Sequence, residues 1–187
     1  MAEADLAKLP TFDGRSKLVN IVIEASKGMR TKLKYDEARH MFRAEKVLPL
    51  GLVFPFDFGF LPSTMGGDED PLDVLVLSEE PLPWGTVVLG EVVGVLKAEQ
   101  RENGQTERND RLIAIPVDAK SREPMQPAIA LDARMKAAIS DFFLKYNELQ
   151  HKKFKVLAFE GARSGLAVVE EGIRLNGKNG GAGKSEA

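Results

Sequence analysis

Cysteine is absent from this chain of 187 residues. Its absence excludes disulfides, thiolate metal centres and cysteine nucleophiles together. A chain that needs no disulfides suits the cytoplasm, and a cytoplasmic location is expected. Histidine is nearly as scarce: His40 and His151 stand far apart and do not make a multi-histidine zinc site. Any metal site must therefore be built mainly from carboxylates, which select hard cations such as Mg²⁺ or Mn²⁺. A basic excess is missing too. The formal net charge of -2 argues against a protein that grips a phosphate backbone, so no nucleic acid partner is expected. Long apolar runs are lacking: Thr86 to Val95 is broken by Gly90, Glu91 and Gly94 and falls short of a membrane span. Met1 to Leu9 is mixed and charged, unlike a secretory signal.

What remains is an ordinary globular balance, 43% hydrophobic and 29% charged, in a length that suits one domain with a real core. Residues 1–175 are expected to form that domain and 176–187 a flexible Gly-rich tail. The tail holds Gly183-Lys184-Ser185, which looks like the end of a phosphate-binding loop. The glycine such a loop requires upstream is here Lys178, and that reading is rejected.

Period-two and wholly apolar segments dominate the first two thirds. Leu18 to Glu24, Lys32 to Asp36, His40 to Val47, Asp73 to Leu77, Thr86 to Leu96 and Arg111 to Val117 read as strands, punctuated by Pro and Gly. Phe54, Phe56, Phe58 and Phe60 alternate as on one packed face, for the core or a subunit contact. Between Asp132 and Gln150 the apolar residues fall at helical spacing, with Asp132 as N-cap. Phe154 to Phe159 reads as a last strand and Gly165 to Leu175 as a short helix. The class is α+β around a small barrel.

The chemistry concentrates in Asp68-Glu69-Asp70-Pro71-Leu72-Asp73. Its four carboxylates repel one another and lead directly into a buried strand, an arrangement that costs stability unless cations compensate. In an extended segment the Asp-x-Asp spacing points alternate carboxylates the same way. The plainer reading is a solvated acidic turn between strands.

This stretch resembles the signature of the family I soluble inorganic pyrophosphatases. The resemblance extends to Ile23-Glu24, Lys34-Tyr35-Asp36, Phe54 to Phe60, Val93 to Lys97, Arg111 to Ala114 and Phe142 to Tyr146, all in the family's order. It implies a five-stranded OB-like β-barrel with flanking helices, Mg²⁺-dependent hydrolysis of pyrophosphate to two phosphates by metal-activated water, and a homo-oligomer, often a hexamer. By the same resemblance Asp68, Asp70, Asp73 and Glu24 would hold metal. Asp70 would help deprotonate the attacking water. Lys34, Lys46 and Arg111 would clamp phosphate oxygens, with Tyr146 donating to the phosphate.

The chain departs from the family pattern at several positions. Asp36 stands where Glu is usual and Lys46 where Arg is usual, which removes a planar fork. Phe54 and Phe58 replace tyrosines, Asp57 stands where Asn is common, and Asn147 replaces a basic residue. In the loop after Lys97 the two ligand positions align with the neutral Gln100 and Asn109, leaving Glu99 and Asp110 as the nearest carboxylates, which would substitute as metal ligands in a rearranged loop. These departures motivate an alternative, a degenerate paralogue that binds phosphate compounds or metal without efficient turnover. An OB-type nucleic-acid binder is a third reading, and the acidic cluster opposes it.

Overall fold

The computed structural model describes residues 5–14, 16–125 and 131–182. Nine strands and two helices follow in the order β1 (Val19–Ala25), β2 (Thr31–Asp36), β3 (Met41–Val47), β4 (Asp57–Phe60), β5 (Asp73–Val76), β6 (Val87–Glu102), β7 (Gln105–Arg108), β8 (Arg111–Val117), α1 (Ala133–Glu148), β9 (Lys153–Gly161) and α2 (Ala162–Ala182). Five of them close a ring: β1, β4, β5, β8 and β6 pair in that order, and β6 returns to β1. The β5–β8 pairing is parallel and the other four are antiparallel. A closed ring leaves no bare sheet edge, and this is the expected five-stranded barrel.

The ring closes through β6. Its first residues pair with β1 and its middle with β8, while its far end leaves the ring to pair with β9 and β7. Bulges between Val92 and Gly94 and between Lys97 and Ala98 supply the bends. Sequence periodicity predicts the strand only to Leu96, because each bulge breaks the alternation on which the period depends. β7 was not expected, being short and polar throughout.

A third bulge positions a site residue. In β1 the pairing with β4 passes from Ile23 opposite Gly59 to Ala25 opposite Phe58, so Glu24 falls between partners. The two strands approach so closely there that a Cβ on residue 59 would lie 2.1 Å from the Val22 carbonyl oxygen. Only glycine fits. β2 and β3 form a separate hairpin whose Tyr35 packs on Val22 and Phe60 of the ring.

Besides that contact, two larger apolar clusters are found among the described residues. One joins Phe54, Phe58, Leu75, Leu96 and Ile113 to Ile139, Phe142 and Phe143 of α1. The other joins Ile21, Val74, Val76, Val95 and Leu112 to Val169 of α2. α1 starts where Asp132 accepts a hydrogen bond from the Met135 amide at 2.8 Å, as its capping position requires. α2 begins earlier than expected and continues to Ala182. Each glycine costs about 1 kcal/mol in a helix, but a helix already nucleated by packed turns propagates at small cost per residue. The rest of the anticipated tail, with Gly183-Lys184-Ser185, lies outside the described residues. Among the described residues no helix is long and apolar enough to cross a membrane.

Candidate active site

The acidic bend is a constructed loop. The Gly66 amide donates to the Asp70 carbonyl at 2.7 Å, closing a tight turn. Glu69 takes a left-handed backbone, φ 64°, to complete it. A Cβ on residue 66 would lie 2.9 Å from the Asp68 carboxylate, so a side chain there would displace that carboxylate. Two anchors fix the loop to the body. The Met65 amide donates to the Gly172 carbonyl of α2 at 3.0 Å, and the Leu72 amide donates to the Thr64 hydroxyl at 3.1 Å. Asp68 and Asp70 thus sit on a rigid rim, and Asp73 opens β5.

A cavity of about 90 Å³ lies inside that rim, lined by Glu24, Lys32, Lys34, Tyr35, Asp70 and Asp73 among others. Lys32 holds its centre. Its ammonium is 4.0 Å from Glu24 and 3.7 Å from Glu45, and it stands 5.4 Å from the centre of the Phe58 ring. Burial acts to lower the Lys32 pKa, but the negative charges of Asp73 and Glu24 outweigh it and hold the ammonium above its ordinary value. Glu24 is 4% exposed and accepts a hydrogen bond from the Tyr35 amide at 3.1 Å. Burial, reinforced by Asp73 and opposed by Lys32, pushes its carboxyl up to about 7. Asp68 is solvent-exposed, yet the atoms crowding its carboxyl, and then the charge of Asp73, raise it as well, against Arg111. Three acids therefore press on one another across β1, the bend and β5.

Basic partners answer the other carboxylates. Parallel pairing of β5 with β8 sets Arg111 beside Asp73, and the two form an ion pair, both largely shielded. The guanidinium lies 5.8 Å from the Phe143 ring centre, and its Nε is buried without a hydrogen-bond partner. Lys34, two residues from Lys32 on the same face of β2, reaches the mouth of the cavity and donates to Asp70 at 2.7 Å. That bond is what raises Lys34 above its ordinary value.

A larger cavity of about 460 Å³ lies on the other side of the rim, against α2, and shares Asp73 with the first. Asp68, Asp110, Arg111 and Asn109 line it. The Asp110 carboxylate is already saturated: it accepts from the Ala98 amide at 3.0 Å, Lys97 at 3.0 Å and Arg108 at 2.9 Å. Asn109 donates to Gln100 at 2.9 Å, while its own Oδ1 is buried without a hydrogen-bond partner. Glu99 lies on β6 opposite Arg108 and lines neither cavity. Lys46 and Tyr146 form a separate pair: the Lys46 ammonium lies 5.2 Å from the Tyr146 ring centre, 3.4 Å from its hydroxyl and 2.5 Å from Gln150.

The structure thus brings together Glu24, Asp68, Asp70, Asp73, Lys34 and Arg111. It places Lys46 with Tyr146 to one side, leaves Glu99 outside both cavities, and sets Asp110 on the larger cavity with its carboxylate already accepting from Ala98, Lys97 and Arg108. Lys32, at the centre, was passed over in the sequence. Residues two apart on a strand share a face, so spacing does not separate Lys32 from Lys34, and the resemblance around Lys34-Tyr35-Asp36 points to Lys34 alone. The choice between them depends on where β2 meets the Glu24 bulge.

Among the described residues no three acidic or histidine side chains stand close enough to enclose an ion. The donor set nevertheless fits a hard divalent cation. It is all oxygen, it is strained by like charge, and one of its aspartates is held only by a solvent-exposed ammonium.

Comparison with known proteins agrees. The model of the family described as inorganic pyrophosphatase matches residues 21–176. The inorganic pyrophosphatase of Thermus thermophilus is 35% identical over 168 residues, 90% of this chain and 94% of that protein. Its crystal structure superposes with a TM-score of 0.79 over 93% of this chain and 99% of its own. The inorganic pyrophosphatase from Neisseria gonorrhoeae superposes at 0.78, with 26% identity over 90% of this chain and 96% of its own.

Proposed function

We infer that this chain, which belongs to the inorganic pyrophosphatase family, hydrolyses inorganic pyrophosphate to two phosphates. The observation that carries the site assignment is the meeting of Glu24 and Asp73 about the ammonium of Lys32, with Asp70 on the same cavity and Asp68 and Arg111 on the adjoining one that shares Asp73. Such a site is built for a guest that is more negative than its cations are positive.

Glu24, Asp68, Asp70 and Asp73 would hold Mg²⁺, with Mn²⁺ as a substitute. Bound there, the ion would neutralise phosphoryl oxygens and acidify water. The protein does the rest. Lys32 and Arg111 donate to the anionic oxygens, and because both are fixed before substrate arrives they stabilise charge without reorganising. Asp70, at the mouth, accepts the proton of the attacking water. Lys46 and Tyr146 form a donor pair suited to the far phosphate. Glu99 and Asp110 have no part in this assignment, since one lines neither cavity and the other already accepts from Ala98, Lys97 and Arg108.

Exposed Val47, Leu50 and Trp84 support self-association, and the family resemblance suggests a hexamer. Lack of cysteine agrees with a cytoplasmic setting.

Phosphate release from pyrophosphate and Mg²⁺ tests the reading. The native protein should turn over, and Asp70→Asn should lose at least about a hundred-fold in rate, the scale of removing a positioned base. No release by the native protein above a Mg²⁺ blank, or full activity in Asp70→Asn, would overturn it.

A further inference from the structure

The aspartates of the bend are not equally available to a cation. Asp73 is paired with Arg111, and both side chains are mostly shielded. Asp68 has no ion pair among the described residues. Asp70 stands between these cases: Lys34 sits on its Oδ1 at 2.7 Å, but the two side chains are 46% and 56% exposed. The neighbouring Lys32 differs again, because its ammonium is enclosed by Glu24 and Glu45 and cannot swing away without leaving buried charge behind.

We propose that Lys34 is a built-in competitor for the cation at Asp70. The inference rests on the reading above that Asp70 takes a divalent ion. An ammonium and a metal cannot both lie against the same carboxylate oxygen, so the ion enters by displacing Lys34. An exposed pair of this kind is weak enough to open, and a flexible four-carbon stem lets the ammonium move into solvent. The charge still matters. A single positive charge a few ångströms from a divalent ion opposes its binding even in water-like surroundings. Lys34 therefore keeps Asp70 from filling at low cation concentration.

Titration of Mn²⁺ against the full-length protein, followed by the loss of the free-ion electron paramagnetic resonance signal, reads this directly. Lys34→Gln should bind Mn²⁺ about three- to ten-fold tighter than the native protein, the scale of one nearby charge. Lys34→Arg, which keeps the charge, should bind as the native protein does. The gain should vanish when Asp70→Asn is added to Lys34→Gln. Unchanged or weaker binding by Lys34→Gln, or a gain that persists without the Asp70 carboxylate, would overturn the proposal. Phosphate release by the native protein separates the two failures. If it hydrolyses pyrophosphate and binds Mn²⁺ while Lys34→Gln shows no gain, only this inference falls. If it does neither, the functional reading falls and takes this with it.

Discussion

Glu24 is the residue whose environment is most costly. It is nearly sealed from solvent, its β1 bulge turns it away from strand pairing, and its carboxyl titrates at about 7 where 4.5 is ordinary. In the unfolded chain the proton leaves near the ordinary value, whereas the folded protein keeps it to about 7. Between those values the native state binds the extra proton, so stability falls as pH rises and then levels off once both states are ionised. At 1.36 kcal/mol per pH unit, the loss is on the order of 3 kcal/mol. Glu24→Gln removes the titration. In urea melts with a chelator present, the variant should gain on the native protein by roughly that amount between pH 4 and pH 8. A native protein that stays as stable as before across this range, relative to the variant, would show that Glu24 is already charged when the protein folds. The same residue shows what sequence could tell. Glu24 was legible as a site carboxylate through the resemblance around Ile23-Glu24, but its burial was not, because a bulge leaves no mark on composition.

At the level of elements, the sequence is most readable where the period is unbroken. β1, β5, β8 and α1 lie within a residue or two of their expected bounds, since alternation or helical spacing runs through each of them. The readings fail where backbone geometry takes over: at the two bends of β6, at the short polar β7, and at the far end of α2. Close approach is also invisible until the elements meet. Gly165 shows it well. A Cβ there would lie 2.7 Å from Val92 and 2.9 Å from the Gly94 carbonyl oxygen, so α2 lies directly on β6. Gly177, later in the same helix, has nothing within 4 Å. Replacing glycine by alanine in a helix gains about 1 kcal/mol where there is room. Gly177→Ala should therefore stabilise the protein by up to that amount. Gly165→Ala should instead cost about 1–3 kcal/mol, the price of overpacking against backbone that cannot yield. Chemical denaturation of the two variants must give opposite signs, and a stabilised Gly165→Ala would mean that α2 does not rest on β6 as described.

For the whole molecule, the carboxylates matter because they belong to different parts of the chain. Glu24 comes from β1, Asp68 and Asp70 from a bend anchored to α2, and Asp73 from β5. An unfolded chain cannot gather them, so a divalent ion that joins them binds the native state alone and stabilises it by mass action. At a hundred times its dissociation constant that is about 2.7 kcal/mol. For a domain of this size it corresponds to a rise in melting temperature of about 5–10 °C. Melting curves in chelator and in saturating Mg²⁺, matched in ionic strength with sodium chloride, measure it. Simple screening would be reproduced by the sodium salt; site binding would not. Asp70→Asn should abolish most of the Mg²⁺ shift. Glu99→Gln should leave it intact, because Glu99 lines neither cavity. The pair of variants decides between a defined site and a general acidic surface: if both lose the shift equally, the ion is gathered by overall negative charge, and the bend at Asp68 to Asp73 has no special claim on it.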